Sequence, residues 1–115
     1  MDDNCIFCKI IKGDIPSKKI YEDEYVYSFY DITPKAKIHA LVIPKIHIKD
    51  LNEINKTNID YISNVMISIS NIVEILKIKE SGYRVISNTG DDSGQEVPHL
   101  HFHILGGEKL NSNII

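Results

Sequence analysis

Residues 99–103 read HLHFH and run straight into ILGG, so three of the chain's five histidines stand at every second position. On a strand, alternate side chains share a face and lie about 6.6 Å apart. A helix would rotate successive imidazoles by about 200° and scatter them. The spacing therefore predicts a strand with His99, His101 and His103 on one face. Leu100, Phe102 and Ile104 take the other face and can be buried. A chain carrying this segment is expected to build a sheet with an apolar layer beneath a row of imidazoles.

The remaining segments predict what completes that sheet. NCIFCKIIKGDIPS reads as a short helix, with Asn4 as its cap and Gly13 as its stop. SKKIYED and YVYSFYD are rich in β-branched and aromatic residues and flank a charged turn at Asp23 and Glu24, the pattern of a hairpin. IHALVIP is an apolar run closed by Pro44, as a central strand would be. Ile59, Ile62, Met66, Ile69, Val73 and Leu76 step by three and four, the stripe of a long amphipathic helix capped by Thr57 and stopped at Ser81-Gly82. GYRVISN and HLHFHIL supply two more strands. This order predicts an α+β fold: a five-stranded, mostly antiparallel sheet with a short N-terminal helix and one long helix. No repeat or linker divides residues 1–115, which read as a single domain.

Charge and composition narrow the function. The net charge of −3 gives no broad basic surface, so nucleic acid is not expected as a partner, and an anion must be held by a local site. No long apolar run or N-terminal leader pattern is present, so no membrane association is expected. The two cysteines stand close together in CIFC rather than forming a disulfide framework, which points to a cytoplasmic protein. TGDDSGQEVP, the stretch between Asn88 and His99, is ten residues long where a hairpin usually needs about two to five. Gly90 and Gly94 within it allow close approach of backbone to a ligand.

Three uses of the histidine row compete: surface imidazoles without a task, a metal site, and acid–base and nucleophilic chemistry on phosphorus. Three ligands in line cannot all reach one metal at about 2.1 Å without help from elsewhere. An imidazole attacking phosphorus, a neighbour donating a proton and loop amides holding anionic oxygens match the inventory best.

The chain resembles the histidine triad family through HLHFHIL, and also through CIFCKIIKGDIPSKKIYEDEYVYSFYDITPKAKIHALVIPKIHI, GYRVISNTG and SGQEVPHLHFHILGG. The branch it is most similar to contains nucleoside phosphoramidases. That resemblance implies a catalytic set of His101, His103, His99 and His39. His101 would attack the α-phosphorus of a nucleotide derivative and carry the nucleotide covalently. Water would then release the nucleoside monophosphate. His103 would contact the phosphate and assist protonation, with His99 and His39 behind the nucleophile. The same resemblance implies a nucleotide site of Asn88, Gln95 and Val97 at the phosphate, Asp31 at the ribose hydroxyls, and Phe7, Ile10, Phe29 and Ile32 around a purine base. Glu96 stands where some phosphoramidases of the family carry a serine near the leaving group, so it bears on leaving-group choice.

Cys5 and Cys8 can point at one ion from a helix or turn, but they supply only half of a tetrahedral site. Some bacterial relatives hold zinc with such cysteines and two histidines, which here are His47 and His99. A closed set of four ligands implies a structural zinc, with no cofactor required for the chemical step. A redox pair and two unligated thiols are the other readings of the cysteines. If His99 binds metal, it supports His101 from behind. Relatives of this branch are commonly homodimers, which implies pairing through the long helix and the strand after Gly82. The short tail EKLNSNII lacks the ending that in some members reaches the partner's site. The expected substrate is a purine nucleotide or nucleoside phosphoramidate. Dinucleoside polyphosphate hydrolysis and a nucleotide-binding or interaction module are the alternatives.

Overall fold

Two hydrophobic periods in the sequence, one of two residues and one of 3.6, meet on a single sheet. A computed structural model, which describes residues 4–112, runs α1 (Ile6–Lys12), β1 (Lys19–Glu22), β2 (Val26–Tyr30), β3 (Ile38–Pro44), α2 (Ile59–Ile75), β4 (Tyr83–Ile86) and β5 (Phe102–Gly106). The strands form one sheet in the order β1-β2-β3-β5-β4, and each pairing is antiparallel. The expected α+β architecture is the observed one. The β1–β2 hairpin closes where predicted, because Asp23 Oδ1 accepts from the backbone N–H groups of Tyr25 and Val26 at 2.8 and 2.9 Å.

Alternation along the strands sorts the core into two layers. Val26, Ala40, Val42, Leu100, Phe102 and Ile104 pack with Ile62, Val65, Ile69, Ile72 and Val73 of α2 on one face of the sheet. Tyr27, Phe29, Leu41 and Ile43 point to the opposite face and pack with Phe7, Cys8 and Ile10 of α1. His39 and His103 lie on this second face, since His39 alternates with Ala40 and His103 is paired with Leu41.

Three element ends differ from the sequence prediction, each for a visible reason. The cap of α1 is Cys5 rather than Asn4, with the Cys5 sulfur accepting from Cys8 N–H at 3.3 Å. Gly13 does stop α1, at φ 86°, a conformation that suits a residue without a Cβ. Helix α2 follows Asn58 rather than Thr57 and ends at Ile75, capped by Leu76, short of Ser81-Gly82. Lys77 takes the left-handed conformation usually given to glycine (φ 62°), and Ile78 N–H returns to Val73 C=O at 3.0 Å. Burial of Ile78 after this turn ends the helix early. Within the predicted stripe, Ile59 and Met66 are exposed, and Val65 and Ile72 take the buried positions.

The histidine segment keeps its alternation, but its ladder begins only at Phe102. Upstream, Leu100 N–H bonds to Ile48 C=O at 2.7 Å, and Ser87 Oγ donates to His101 C=O at 3.0 Å. His99 lies in a bend, its N–H returning to Val97 C=O at 2.9 Å, and the backbone from there to His101 is held by loops. Among the described residues, no helix is long and apolar enough to cross a membrane.

Ile72 is fully buried at the centre of the α2 layer. Ile72→Ala is expected to lower unfolding free energy by about 2–5 kcal/mol through lost burial and a residual cavity, read from urea denaturation.

Candidate active site and its metal cluster

His99 is completely buried, and each of its polar groups has an assigned partner. Its Nε2 lies 3.1 Å from Pro44 C=O. A carbonyl only accepts, so Nε2 carries the proton and Nδ1 is left with its lone pair. That lone pair faces Cys5 Sγ at 3.2 Å and Cys8 Sγ at 3.6 Å. His47 Nδ1 closes the group at 3.4 Å from Cys8 Sγ. The ligand atoms of Cys5, Cys8, His47 and His99 all lie within 4.8 Å of one another. A tetrahedral zinc ion holds sulfur at about 2.3 Å and nitrogen at about 2.0–2.1 Å, which places sulfur and nitrogen ligands about 3.5 Å apart. Donor types, spacing and the free Nδ1 of His99 all fit such an ion, so the four residues form a cluster consistent with a metal site.

The backbone of the same residue reaches the next imidazole. His99 C=O accepts from His101 Nδ1–H at 2.7 Å, so His101 Nε2 bears the lone pair. Phe7, carried on α1, sets its ring edge-on to both imidazoles, with centroids 5.8 Å from His99 and 5.2 Å from His101. His101 is therefore buried, neutral in its hydrogen bonding, and committed to one tautomer.

A second chain of bonds runs through His39 and His103. Lys35 N–H donates to His39 Nδ1 at 3.0 Å, which puts the His39 proton on Nε2. Nε2–H then donates to His103 Nδ1 at 2.9 Å, leaving His103 with its own proton on Nε2. Asp31 Oδ2 stands 3.4 Å from His39 Nε2, and its other oxygen accepts from Thr33 N–H at 2.8 Å. Asp31, His39 and His103 are close enough to suggest a second metal site. The Lys35 N–H argues against it: a neutral imidazole bound to metal through Nε2 needs its proton on Nδ1, where this donor already points. His39 thus sits behind His103 and not behind His101.

The other predicted residues divide by environment. Phe7, Ile10 and Phe29 are buried together under α1, with Phe7 and Phe29 edge-to-face at 5.6 Å. Ile32 is 96% exposed, an apolar side chain with nothing over it, one residue from Asp31. Asn88 is half-buried beside Thr89, whose hydroxyl is buried with no hydrogen-bond partner among the described residues. Gln95 braces the long loop: its amide donates to Lys49 C=O at 2.9 Å and Val97 C=O at 3.0 Å, and its Oε1 accepts from Gly90 N–H at 2.9 Å. Val97 packs at the edge of the α1 layer. Glu96 is exposed, and its carboxylate acts on His101 through space, as does that of Asp31. Sequence reasoning missed Ser87, Pro44 and Lys35, which act through a hydroxyl, a carbonyl and an amide; no residue-type pattern marks the last two.

Comparison with known proteins places this geometry among relatives. Residues 12–110 match the family described as the HIT domain. A protein of Helicobacter pylori (strain ATCC 700392 / 26695), described as an uncharacterized HIT-like protein, is 53% identical over 104 residues, spanning 90% of this chain and 97% of the relative. The purine nucleoside phosphoramidase of Escherichia coli (strain K12) is 41% identical over 110 residues, spanning 96% of this chain and 92% of that enzyme. Among solved structures, a HIT family hydrolase from Clostridium thermocellum superposes with a TM-score of 0.95 at 44% identity, covering 100% of both chains. A histidine triad nucleotide-binding protein from Candida albicans gives a TM-score of 0.81 at 38% identity, over 97% of this chain and 87% of that one.

Burial decides the charge of the imidazoles. It lowers the pKa of His39 and of His101 despite the carboxylates nearby, and brings His103 down to about 4 with help from His101 and His39. All three are uncharged at neutral pH. An unfolded histidine takes up a proton near pH 6.5 while folded His103 does not until about pH 4, so the unfolded state binds more protons in between. The stability that neutral His103 contributes is present above pH 6.5 and is lost as pH falls toward about 4. Urea midpoints measured from pH 7 to 4 are expected to fall, and His103→Asn is expected to flatten that slope.

Proposed function

The chain belongs to the HIT domain family, and on that premise we propose that it hydrolyses the P–N bond of purine nucleoside phosphoramidates through a nucleotide carried on His101. The observation carrying this reading is the 2.7 Å bond from His101 Nδ1–H to His99 C=O, which leaves Nε2 as a fixed, uncharged lone pair. In the first step Nε2 bonds to the α-phosphorus as the P–N bond breaks, and the leaving amine takes a proton from solvent. In the second step water bonds to phosphorus, the His101–phosphorus bond breaks, the water's proton returns to solvent, and nucleoside monophosphate departs. His103 donates its Nε2–H to a phosphate oxygen, with His39 holding it in that tautomer. Asn88 and the loop amides near Val97 contribute further donors to the phosphate.

Asp31 accepts the ribose hydroxyls, since a carboxylate keeps lone pairs beyond the one used by Thr33. Ile32 covers one side of the base, and Phe7, Ile10 and Phe29 back the other. Cys5, Cys8, His47 and His99 would hold zinc, which would supply local structure rather than take part in the chemical step.

Leaving-group choice follows from charge. His101 feels the carboxylates of Asp31 and Glu96, so a leaving group with additional phosphates meets repulsion while an amine does not. This favours phosphoramidates over dinucleoside polyphosphates. A binding module would have no need of the His101 geometry.

A second copy of the chain covers the remaining apolar surface. Val85 is paired with Ile104 and Tyr83 with Gly106, so both face the α2 side of the sheet on edge strand β4, and both are exposed. Met66, Ile67 and Ile75 of α2 are exposed as well. We place a homodimer contact on this strand and helix, in a protein of the cytoplasm.

A burst assay with a fluorogenic adenosine phosphoramidate tests the reaction. Wild type is expected to turn over and to trap nucleotide on His101, and His101→Gly to lose both by on the order of 10⁴-fold. Glu96→Gln is expected to raise turnover of a dinucleoside polyphosphate relative to the phosphoramidate; an unchanged ratio removes Glu96 from specificity. Binding of adenosine monophosphate without turnover of either substrate would favour the binding module. Sedimentation velocity is expected to find wild type dimeric and Val85→Asp shifted toward monomer.

A further inference from the structure

The metal cluster and the nucleophile share one residue, and the sharing runs through both ends of it. We propose that Cys5, Cys8 and His47 are positioning residues for the reaction: by gripping His99 Nδ1 through a bound metal they hold the His99 carbonyl that orients His101. This rests on the reading of His101 as nucleophile.

The route is short. One side of the His99 ring is held by Pro44 C=O at 3.1 Å, at the end of β3, and the other faces the α1 sulfurs at 3.2 and 3.6 Å. A metal bond at Nδ1 therefore clamps the ring between the sheet and α1. With the ring fixed, the carbonyl of the same residue has a fixed place from which to accept His101 Nδ1–H at 2.7 Å. Helix α1 carries both sulfurs and also Phe7, whose ring edges meet His99 and His101. Loosening α1 would release the bond and the wedge together. An imidazole whose Nδ1 has no fixed partner exchanges between tautomers, and only one of them presents Nε2 as a lone pair.

The cluster is not what holds the domain together. The α2 layer contains none of the four ligands, whereas Cys5 and Cys8 belong to the smaller layer under α1. A chain of 115 residues can also bury enough surface to fold without a metal staple. Removing the metal should thus disturb α1 and His101 while the sheet and α2 persist. Two of the four ligands, Cys5 and His47, line a surface cavity of about 340 Å³.

Cys5→Ser separates this role from helix capping, because serine keeps an acceptor for the Cys8 N–H while removing a soft ligand. His47→Ala removes the ligand that faces Cys8 Sγ at 3.4 Å. Zinc-loaded wild type, chelator-treated wild type and both variants would be compared by three measurements. These are kcat and KM with the adenosine phosphoramidate, affinity for adenosine monophosphate, and the ¹⁵N pattern of the His101 ring. Metal loss is expected to lower kcat on the order of tenfold and to weaken nucleotide affinity by much less, the smaller effect arising because Phe7 and Ile10 of the base site ride on α1. The single Nδ1–H pattern of His101 should give way to a mixture, and zinc should restore both in chelated wild type. Full kcat with an unchanged His101 pattern in metal-free protein would overturn the proposal. So would loss of nucleotide binding in parallel with kcat, the mark of a general structural role. If zinc-loaded wild type shows no turnover, the proposed reaction fails, but the ring pattern still decides whether the cluster positions His101.

Discussion

The bond from His99 Nε2–H to Pro44 C=O, 3.1 Å long and fully buried, is the interaction on which the site depends. It assigns a proton to one ring nitrogen where no water can redistribute it. Nδ1 then turns a lone pair to the cysteines, and the adjoining carbonyl receives the proton of His101. A single backbone amide does the same for the other pair of imidazoles. Lys35 N–H fixes His39, and His39 fixes His103. The protonation of four histidines is thus set by two carbonyls, those of Pro44 and His99, and one amide, that of Lys35, with burial keeping the rings uncharged. Charged rings in that space would repel one another and lose the lone pairs the arrangement provides.

This arrangement is possible because the two faces of the sheet have different tasks. The α2 face is apolar and closely buried, and it supplies most of the area removed from water. Each well-buried aliphatic side chain there contributes about 1.5–3 kcal/mol relative to exposure. The α1 face carries the sulfurs and the imidazoles in a smaller layer. Polar burial on that side is tolerated because each ring is hydrogen-bonded, an unpartnered buried polar group costing about 1–3 kcal/mol. The long loop joins the faces to the site through Gln95, which ties Gly90, Val97 and Lys49 together and leaves Glu96 exposed with its carboxylate acting on His101.

Much of this was legible in residue order. Alternation in HLHFHIL separates the histidines from Leu100, Phe102 and Ile104, and the structure keeps that separation even where the ladder has not begun. The hairpin turn at Asp23 and the stop at Gly13 follow from local chemistry, and local chemistry is what a sequence displays. The end of α2 was not legible. Ser81-Gly82 is the stronger local stop, but burying Ile78 outweighs the cost of a left-handed Lys77. The cap of α1 was not legible for a related reason: Asn4 is the better capping residue by type, yet Cys5 is held in place by what its sulfur faces. Gln95 looks from its type like a ligand-binding amide, and only the folded loop shows its donors and acceptor occupied.

The sequence alone determined which residue types could meet, because spacing settles faces: imidazoles on one side, aliphatics on the other, two thiols three residues apart. It also determined the family, through motifs spread over most of the chain. Only the tertiary structure decided which nitrogen of each ring carries the proton, that His39 serves His103 while His99 serves His101, and that one trio of donors is a hydrogen-bonded chain while the other four residues suit a metal. The reason is physical. A tautomer is chosen by whichever fixed donor or acceptor the ring faces, and those backbone groups are brought to it by pairings and loops distant in sequence.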